Sequence, residues 1–588
     1  MQTFEKYLNP LHTRLDSIRD FSKVIPKNKV EEEEYPHLKK VTEINVQNSK
    51  YLIKKLHDLE IELEEQAKII QMETDLDSRK DAVGVYNKIL KSIMEYVERI
   101  NIELIRVDTP YFGKIVFRTK IRDIQKDLQI YIGKFALMDP DTYHPLISDW
   151  RSPVANIYYE NSGPANNLQY ETPSGIKNGD LIQKRQFSIS EARFNHIYDA
   201  KSGNVAADEF LLAQLTERLG QKLKDIVATI QAQQNEIIRD GINKPIVIQG
   251  VAGSGKTTIL LHRLAYLFYA YKEQIHPEKT LIIGPNKVFL DYISDVLPSL
   301  GIEHVETNTY MFWAKNILGW DDSYMVYQGE EDSKIKEYKG SKQFIELLDS
   351  YFEEFESDLL DNIPYSRRAT IRERYYELKE THPLLSMDER LTLSMEYSFM
   401  QKKFQEKMIG TLPRESDLEI KKKKEITQYF NRMTKPIEVY RSMFKKGYVN
   451  RTIAKYTLEG TVRSGKKKTF RMEDLAPIVY LHFKIHDQKE HQKEYIMLDE
   501  AQDLSLVQIL TLLQISKNQN ITIAGDLAQS IIPPFYIKDW NNVIDLFKRF
   551  DRDDYSYYQL NRCYRTTLEI IDYANKIFKN KFPKTYKL

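Results

Sequence analysis

The chain has 588 residues, 41% hydrophobic and 29% charged, a length that suits roughly three to four domains with buried cores. Its 86 lysines and arginines meet 85 aspartates and glutamates, so no global positive field draws the protein onto nucleic acid, and such contacts fall to local patches. The lone cysteine, Cys563, excludes an internal disulfide, and no apolar leader or apolar run of membrane-spanning length is present, which together predict a cytoplasmic protein with no membrane association.

Residues 1–110 are charge-rich and carry apolar residues at alternating steps of four and three. One series runs Leu52, Leu56, Leu59, Leu63, Gln66, Ile70; a second runs Tyr86, Leu90, Ile93, Val97, Ile100, Leu104, Val107; the polar stretch QMETDLDSRKD separates them. This rhythm predicts two helices packed as an antiparallel coiled-coil arm, with a dimerisation coil or a helical bundle as other ways to bury such seams. The run Glu31 to Glu34 reads as a solvated acidic turn. From TPYFGKIVFRT to about Phe187, short β-type runs punctuated by Pro and Gly predict a small β-rich platform. A helical stretch from Asp208 leads to PIVIQG and TLIIGP, two fully apolar strands separated by a helix, as in a parallel α/β sheet. Two more strands of that kind, EYIMLDE and NITIAGD, come only after a long Lys-, Glu- and Tyr-rich insertion with helix-like stretches.

GVAGSGKTT matches G-x-x-x-x-G-K-[ST] at Gly250, Gly255, Lys256 and Thr257, between a strand and a helix. Gly250, Gly253 and Gly255 let consecutive backbone N–H groups turn inward around phosphate oxygens, and Ser254 and Thr258 complete the loop. Lys256 is placed to neutralise the β- and γ-phosphates of ATP, and the Thr257 hydroxyl to take one position on Mg2+. Cleavage needs further carboxylates, which YIMLDEAQD supplies: Asp499 to hold the magnesium through water and Glu500 as general base. Magnesium is the one metal expected, because His482 and His486 have ligand-like spacing without a supporting third residue, and Cys563 reads as packing. The clusters Lys421 to Lys424 and Arg463, Lys466, Lys467, Lys468, Arg471 read as a solvated face or as contacts to phosphate or to an acidic partner.

The P-loop, DEAQD, GDLAQS and CYRTT together resemble the UvrD/Rep group of superfamily 1 motor ATPases. That resemblance implies an adenine contact for Gln234, a sensor role for Gln529 and a γ-phosphate contact for Arg565. TPYFGKIVF, YIGKFALMD, SDWRSPVANIYYE and DEFLLAQL narrow it to the HelD family of helicase-like ATPases that bind bacterial RNA polymerase and help recycle it, one arm entering the secondary channel and another the main DNA channel. The expected architecture is α/β: a RecA-like P-loop sheet with an N-terminal coiled-coil arm (1–110), a first motor segment with the platform (111–309), an inserted helical arm (310–489) and a second motor segment (490–552). Residues 553–588 are expected to open an incomplete second motor domain, so that Arg565 marks the near edge of a missing half. Weak ATP turnover by the chain alone follows, unless a separate polypeptide completes the site. Two other readings share these motifs: a UvrD/Rep-like 3′–5′ DNA helicase, and a non-hydrolysing polymerase-binding module.

Overall fold

The computed structural model describes residues 5–121, 124–173, 175–200, 227–327, 333–408, 417–460, 463–464, 467–530, 537–563, 569–570, 572–574 and 576. It divides into two compact units, Met1–Asp240 with Leu261–Lys272 and Tyr292–Glu303, and Gly241–Leu260 with Glu273–Asp291 and His304–Leu588.

In the first unit a short helix, α1 (Glu5–Ser17), precedes two long ones, α2 (Lys29–Met72) and α3 (Leu76–Asp108). Asn28 caps α2 by accepting the Glu31 N–H, and Asp75 caps α3 by accepting the Ser78 N–H. The helices run antiparallel: Gln66 Nε2 donates to the Ala82 carbonyl, Asn48 Nδ2 to Glu103 and Asn45 Nδ2 to the Arg106 carbonyl, so partner numbers rise on one helix as they fall on the other. Leu52, Leu56, Ile89, Ile93, Val97 and Ile100 form the seam together with Leu11 of α1. The break between the helices is shorter than QMETDLDSRKD suggests, and Ile89 is buried there while Leu90 is only partly so.

The acidic run corrects the sequence reading. Glu34 is not in a solvated turn but on the buried face of α2, one turn from Leu38 and two from Val41, and is fully buried. Its carboxylate accepts from Lys114 Nζ at 2.8 Å, Arg185 Nη1 at 2.5 Å and the Tyr131 hydroxyl at 2.7 Å. Burial raises its pKa, but Lys114 and Tyr131 outweigh that and hold it below the ordinary carboxylate value. Glu34→Ala would leave the buried Lys114 without its carboxylate partner and remove one of the two carboxylates on Arg185. A loss of about 3 kcal/mol is expected in denaturant titrations, the low end for a broken buried pair, because Arg185 keeps its bonds to Asp199. A loss within 0.5 kcal/mol, the range of ordinary surface substitutions, would show that the cluster does not hold α2 to the platform.

That platform is a seven-stranded sheet of β1 (Gly113–Ile121), β2 (Ile124–Gly133), β3 (Leu137–Met138), β4 (Pro145–Asp149), β5 (Ala165–Thr172), β6 (Gly175–Ser190) and β7 (Arg193–Asp199), in the order β3-β4-β2-β1-β6-β5 with β7 on β6. Leu38, Val41 and Ile44 of α2 pack on Tyr111, Tyr131, Ile147 and Phe187. SDWRSPVANIYYE gains a structural meaning here. Asp149 binds the Arg151 guanidinium through both oxygens, at 2.8 and 2.7 Å, and Asn156 accepts from Asn235 at 2.6 Å. Arg239 donates to the carbonyls of Trp150, Arg151 and Ser152. The motif therefore grips the helix Ala232–Arg239, which carries Gln234.

The second unit is built on a six-stranded parallel sheet, β8 (Ile246–Gly250), β9 (Thr280–Gly284), β10 (Glu306–Thr309), β14 (Tyr495–Leu498), β15 (Ile521–Gly525) and β16 (Ser556–Leu560), in the order β10-β9-β14-β15-β8-β16. The four interior strands are buried at every position, as their apolar runs predict. β16 departs from the expected division. Rather than opening a second domain, it pairs along β8 from Ser556↔Ile246 to Leu560↔Gly250, and its alternating exposure is that of an edge strand.

The insertion is helical, with nine helices from Tyr310–Ile317 to Met472–Ile485 among the described residues, and a three-stranded sheet, β11 (Tyr324–Tyr327), β12 (Arg463–Ser464) and β13 (Lys467–Arg471). Phe344, Leu348, Phe352, Tyr440 and Val479 share one hydrophobic cluster with Val247, Leu281 and Ile523 of the sheet, so its base is continuous with the core of the parallel sheet. Arg471, grouped with the surface cations by sequence, is buried, its guanidinium 3.8 Å from the Tyr456 ring centroid. Lys421 and Lys424 are exposed on the helix Asp417–Met433, and Lys466 lies outside the described residues. Among the described residues no helix is long and apolar enough to cross a membrane.

Candidate nucleotide site

The site forms at the carboxyl ends of β8, β14 and β15, where loops leave a parallel sheet. β8 ends at Gly250, a turn follows, and the helix Lys256–Ala270 begins. Gly253 and Gly255 have φ of +71° and +86°, a conformation that favours glycine over any residue with a Cβ. A Cβ on Gly250 would meet Ser254 Oγ at 2.6 Å and Lys256 Cγ at 2.7 Å. The loop is anchored by the Val251 N–H donating to the Leu560 carbonyl at 3.1 Å and by the Ser254 N–H donating to the Val251 carbonyl at 3.1 Å. Lys256, only 7% exposed, folds its ammonium back onto the Gly250 carbonyl at 2.9 Å. Such a cradle, with its cation and a following helix N-terminus, suits a nucleotide's phosphates.

Thr257 and Asp499 lie side by side, the hydroxyl donating to Asp499 Oδ2 at 2.5 Å. Burial, reinforced by the charge of Glu500, pushes the Asp499 carboxyl up to about 6, against the opposing pull of Thr257 and Lys256. A hydroxyl beside a buried carboxyl is an oxygen-donor pair that fits Mg2+. Glu500 follows at φ +50°, a left-handed conformation uncommon for a residue with a side chain. Gln502 Nε2 donates to Glu500 Oε2 at 2.9 Å. Gln529, near the end of β15, donates through its amide to Asp526.

Of the other expected site residues, Thr258 sits in the first turn of the helix Lys256–Ala270. Gln234 lies in the first unit at the third position of its helix, where its Oε1 accepts the Gln231 N–H at 3.2 Å. Arg565 lies outside the described residues. β16, which leads toward it, ends opposite Gly250.

Comparison with known proteins bears on what this site serves. The model of the DNA helicase IV HelD N-terminal domain matches residues 50–209, and the model of an AAA domain matches residues 233–533, just over half of the chain. The chain belongs to the HelD-type family of UvrD/Rep-like helicases. It is 23% identical over 357 residues to a probable DNA helicase II homolog of Mycoplasma capricolum subsp. capricolum, covering 59% of this chain and 40% of that protein. A probable DNA helicase II homolog of Mycoplasma genitalium is 25% identical over 365 residues, covering 59% and 42%. The chain thus spans about two-fifths of the length of these relatives.

Within this HelD-type site the structure adds residues that sequence reasoning missed. Gln502 is 2% exposed and links Glu500 to the backbone of Asp526, whose N–H donates to Gln502 Oε1 at 2.9 Å. A Cβ on Gly525 would come within 2.6 Å of that same oxygen, so the glycine permits the approach. Gln249 donates to Asp526 Oδ1 at 3.0 Å. A glutamine in the otherwise apolar strand IVIQG was the available signal.

Proposed function

We propose that the chain acts as a HelD-type ATPase that binds core RNA polymerase and promotes its release from nucleic acid and its recycling. One observation carries this reading: a HelD N-terminal domain match stands in the same chain as a complete set of Lys256, Thr257, Asp499 and Glu500. In this mechanism the backbone N–H groups from Gly253 to Thr257 and the Lys256 ammonium hold the β- and γ-phosphates of ATP. Thr257 and, through water, Asp499 would hold Mg2+, and the ion would supply charge neutralisation at the phosphate oxygens. Glu500 takes the proton of the attacking water as that water's oxygen bonds to the γ-phosphorus and ADP leaves. Gln529 would sense the γ-phosphate, and Arg565 would add positive charge in the transition state. An intact acid pair disfavours the non-hydrolysing reading.

Capture of core RNA polymerase, with and without Mg-ATP, tests the proposal. Removing residues 1–108 would also strip Glu34 and Leu38 from the platform core, so the control replaces only residues 61–89 with a short glycine linker. The intact chain is expected to retain polymerase and the shortened one to lose about tenfold in recovery, a 1.4 kcal/mol effect. Equal recovery would remove the helical hairpin from the interaction. DNA unwinding is the second reading, supported by the description of the curated relatives as probable DNA helicase II homologs. Displacement of a strand from a 3′-tailed duplex in the absence of polymerase would favour it.

A further inference from the structure

Behind the residues assigned to phosphate chemistry lies a buried polar relay that the mechanism above does not use. Gln249, the one polar side chain of β8, is 2% exposed. Its Oε1 accepts from Trp540 Nε1 at 2.7 Å and from the Leu527 N–H at 3.3 Å, while its Nε2 donates to Asp526 Oδ1 at 3.0 Å. These partners fix the amide's orientation, since a flipped amide would set its NH2 against two N–H donors. Asp526, 1% exposed, receives the Ala528 N–H at 3.1 Å and the Gln529 amide, and its own N–H reaches Gln502, which holds Glu500.

A satisfied polar group in a core would account for Gln249 alone. The pattern of its contacts goes further: one side of the amide leads to the sensor glutamine and the general base, and the other ends on the indole of Trp540, the first residue of the helix Trp540–Lys548. Hydrogen bonds in a low-dielectric interior polarise one another, so a shift at Gln529 is felt at the far end.

We propose that Gln249 is a positioning residue that couples the state of the nucleotide site, through Asp526, to Trp540 and the helix it opens. The coupling rests on the nucleotide-binding reading given above. Its test uses the full chain labelled with 5-fluorotryptophan, whose four tryptophans give four fluorine resonances, that of Trp540 identified by Trp540→Phe. Mg-ATPγS is expected to shift the Trp540 resonance in the unsubstituted chain. In Gln249→Leu, and in the longer Gln249→Met should the first variant fold poorly, the shift is expected to disappear while the Kd for a fluorescent Mg-ADP analogue stays within about threefold. ATP turnover is expected to fall about tenfold in kcat at unchanged KM. A Trp540 shift as large in both variants as in the parent, or none in the parent despite bound nucleotide, would overturn the coupling. Failure of the parent to bind the Mg-ADP analogue would instead overturn the nucleotide reading, and the coupling with it.

Discussion

Lys256→Ala is expected to weaken Mg-nucleotide binding by roughly 30- to 5,000-fold, about 2–5 kcal/mol, the cost of deleting one member of a buried charge pair. The side chain is 7% exposed and its ammonium lies against the carbonyls of Gly250 and Val251 inside the loop. A triphosphate placed there loses its water, and without the lysine nothing of equal charge compensates at that point. The loop's backbone does not depend on the lysine, since its turns are set by Gly253 and Gly255 and its anchor is the bond from Val251 to Leu560. Fold stability without nucleotide should therefore be preserved, while the stabilisation that bound nucleotide gives the parent chain should vanish. Titration of a fluorescent Mg-ADP analogue reads the first effect and thermal melting the second. Unchanged affinity would remove the phosphate-cradle assignment.

Glu500→Gln should leave binding intact and stop the chemistry. Loss of a positioned general base lowers turnover by about 10²- to 10⁴-fold. The amide oxygen of a glutamine at position 500 can still accept from Gln502, so the local geometry survives while the capacity to take a proton from water does not. Single-turnover hydrolysis with protein in excess over ATP measures the step directly. Turnover within threefold of the parent would transfer the role of base elsewhere, and a parallel loss of affinity would make Glu500 a binding group.

How much of this was legible in the sequence depended on how local the determining physics is. The P-loop was readable because its chemistry lies in consecutive residues whose glycines meet a backbone requirement, now seen as the positive φ of Gly253 and Gly255. β8, β9, β14 and β15 were readable because strands covered on both faces are near-continuous apolar runs. β10, with the sequence ETNT, and β16, with SYYQL, are edge strands whose part-exposed patterns do not stand out, and only the pairing of β16 with β8 places it in this sheet. Glu34 misled because composition cannot tell a solvated acid from a buried one whose partners, Lys114 and Arg185, lie far along the chain. Arg471 misled for the same reason, its aromatic partner Tyr456 being on another element. Gln249, Gln502 and Asp526 come from three separate strand ends, and only the sheet order brings them together.

Hydrogen exchange with and without Mg-ADP is the most direct measurement of where the nucleotide sits. Amides of residues 251–258 and 499–503 are expected to slow on saturation with nucleotide, with a smaller effect at 525–530 through Asp526 and Gln502. Saturating nucleotide that leaves all three segments exchanging at their original rates would contradict a site built from Lys256, Thr257 and Asp499.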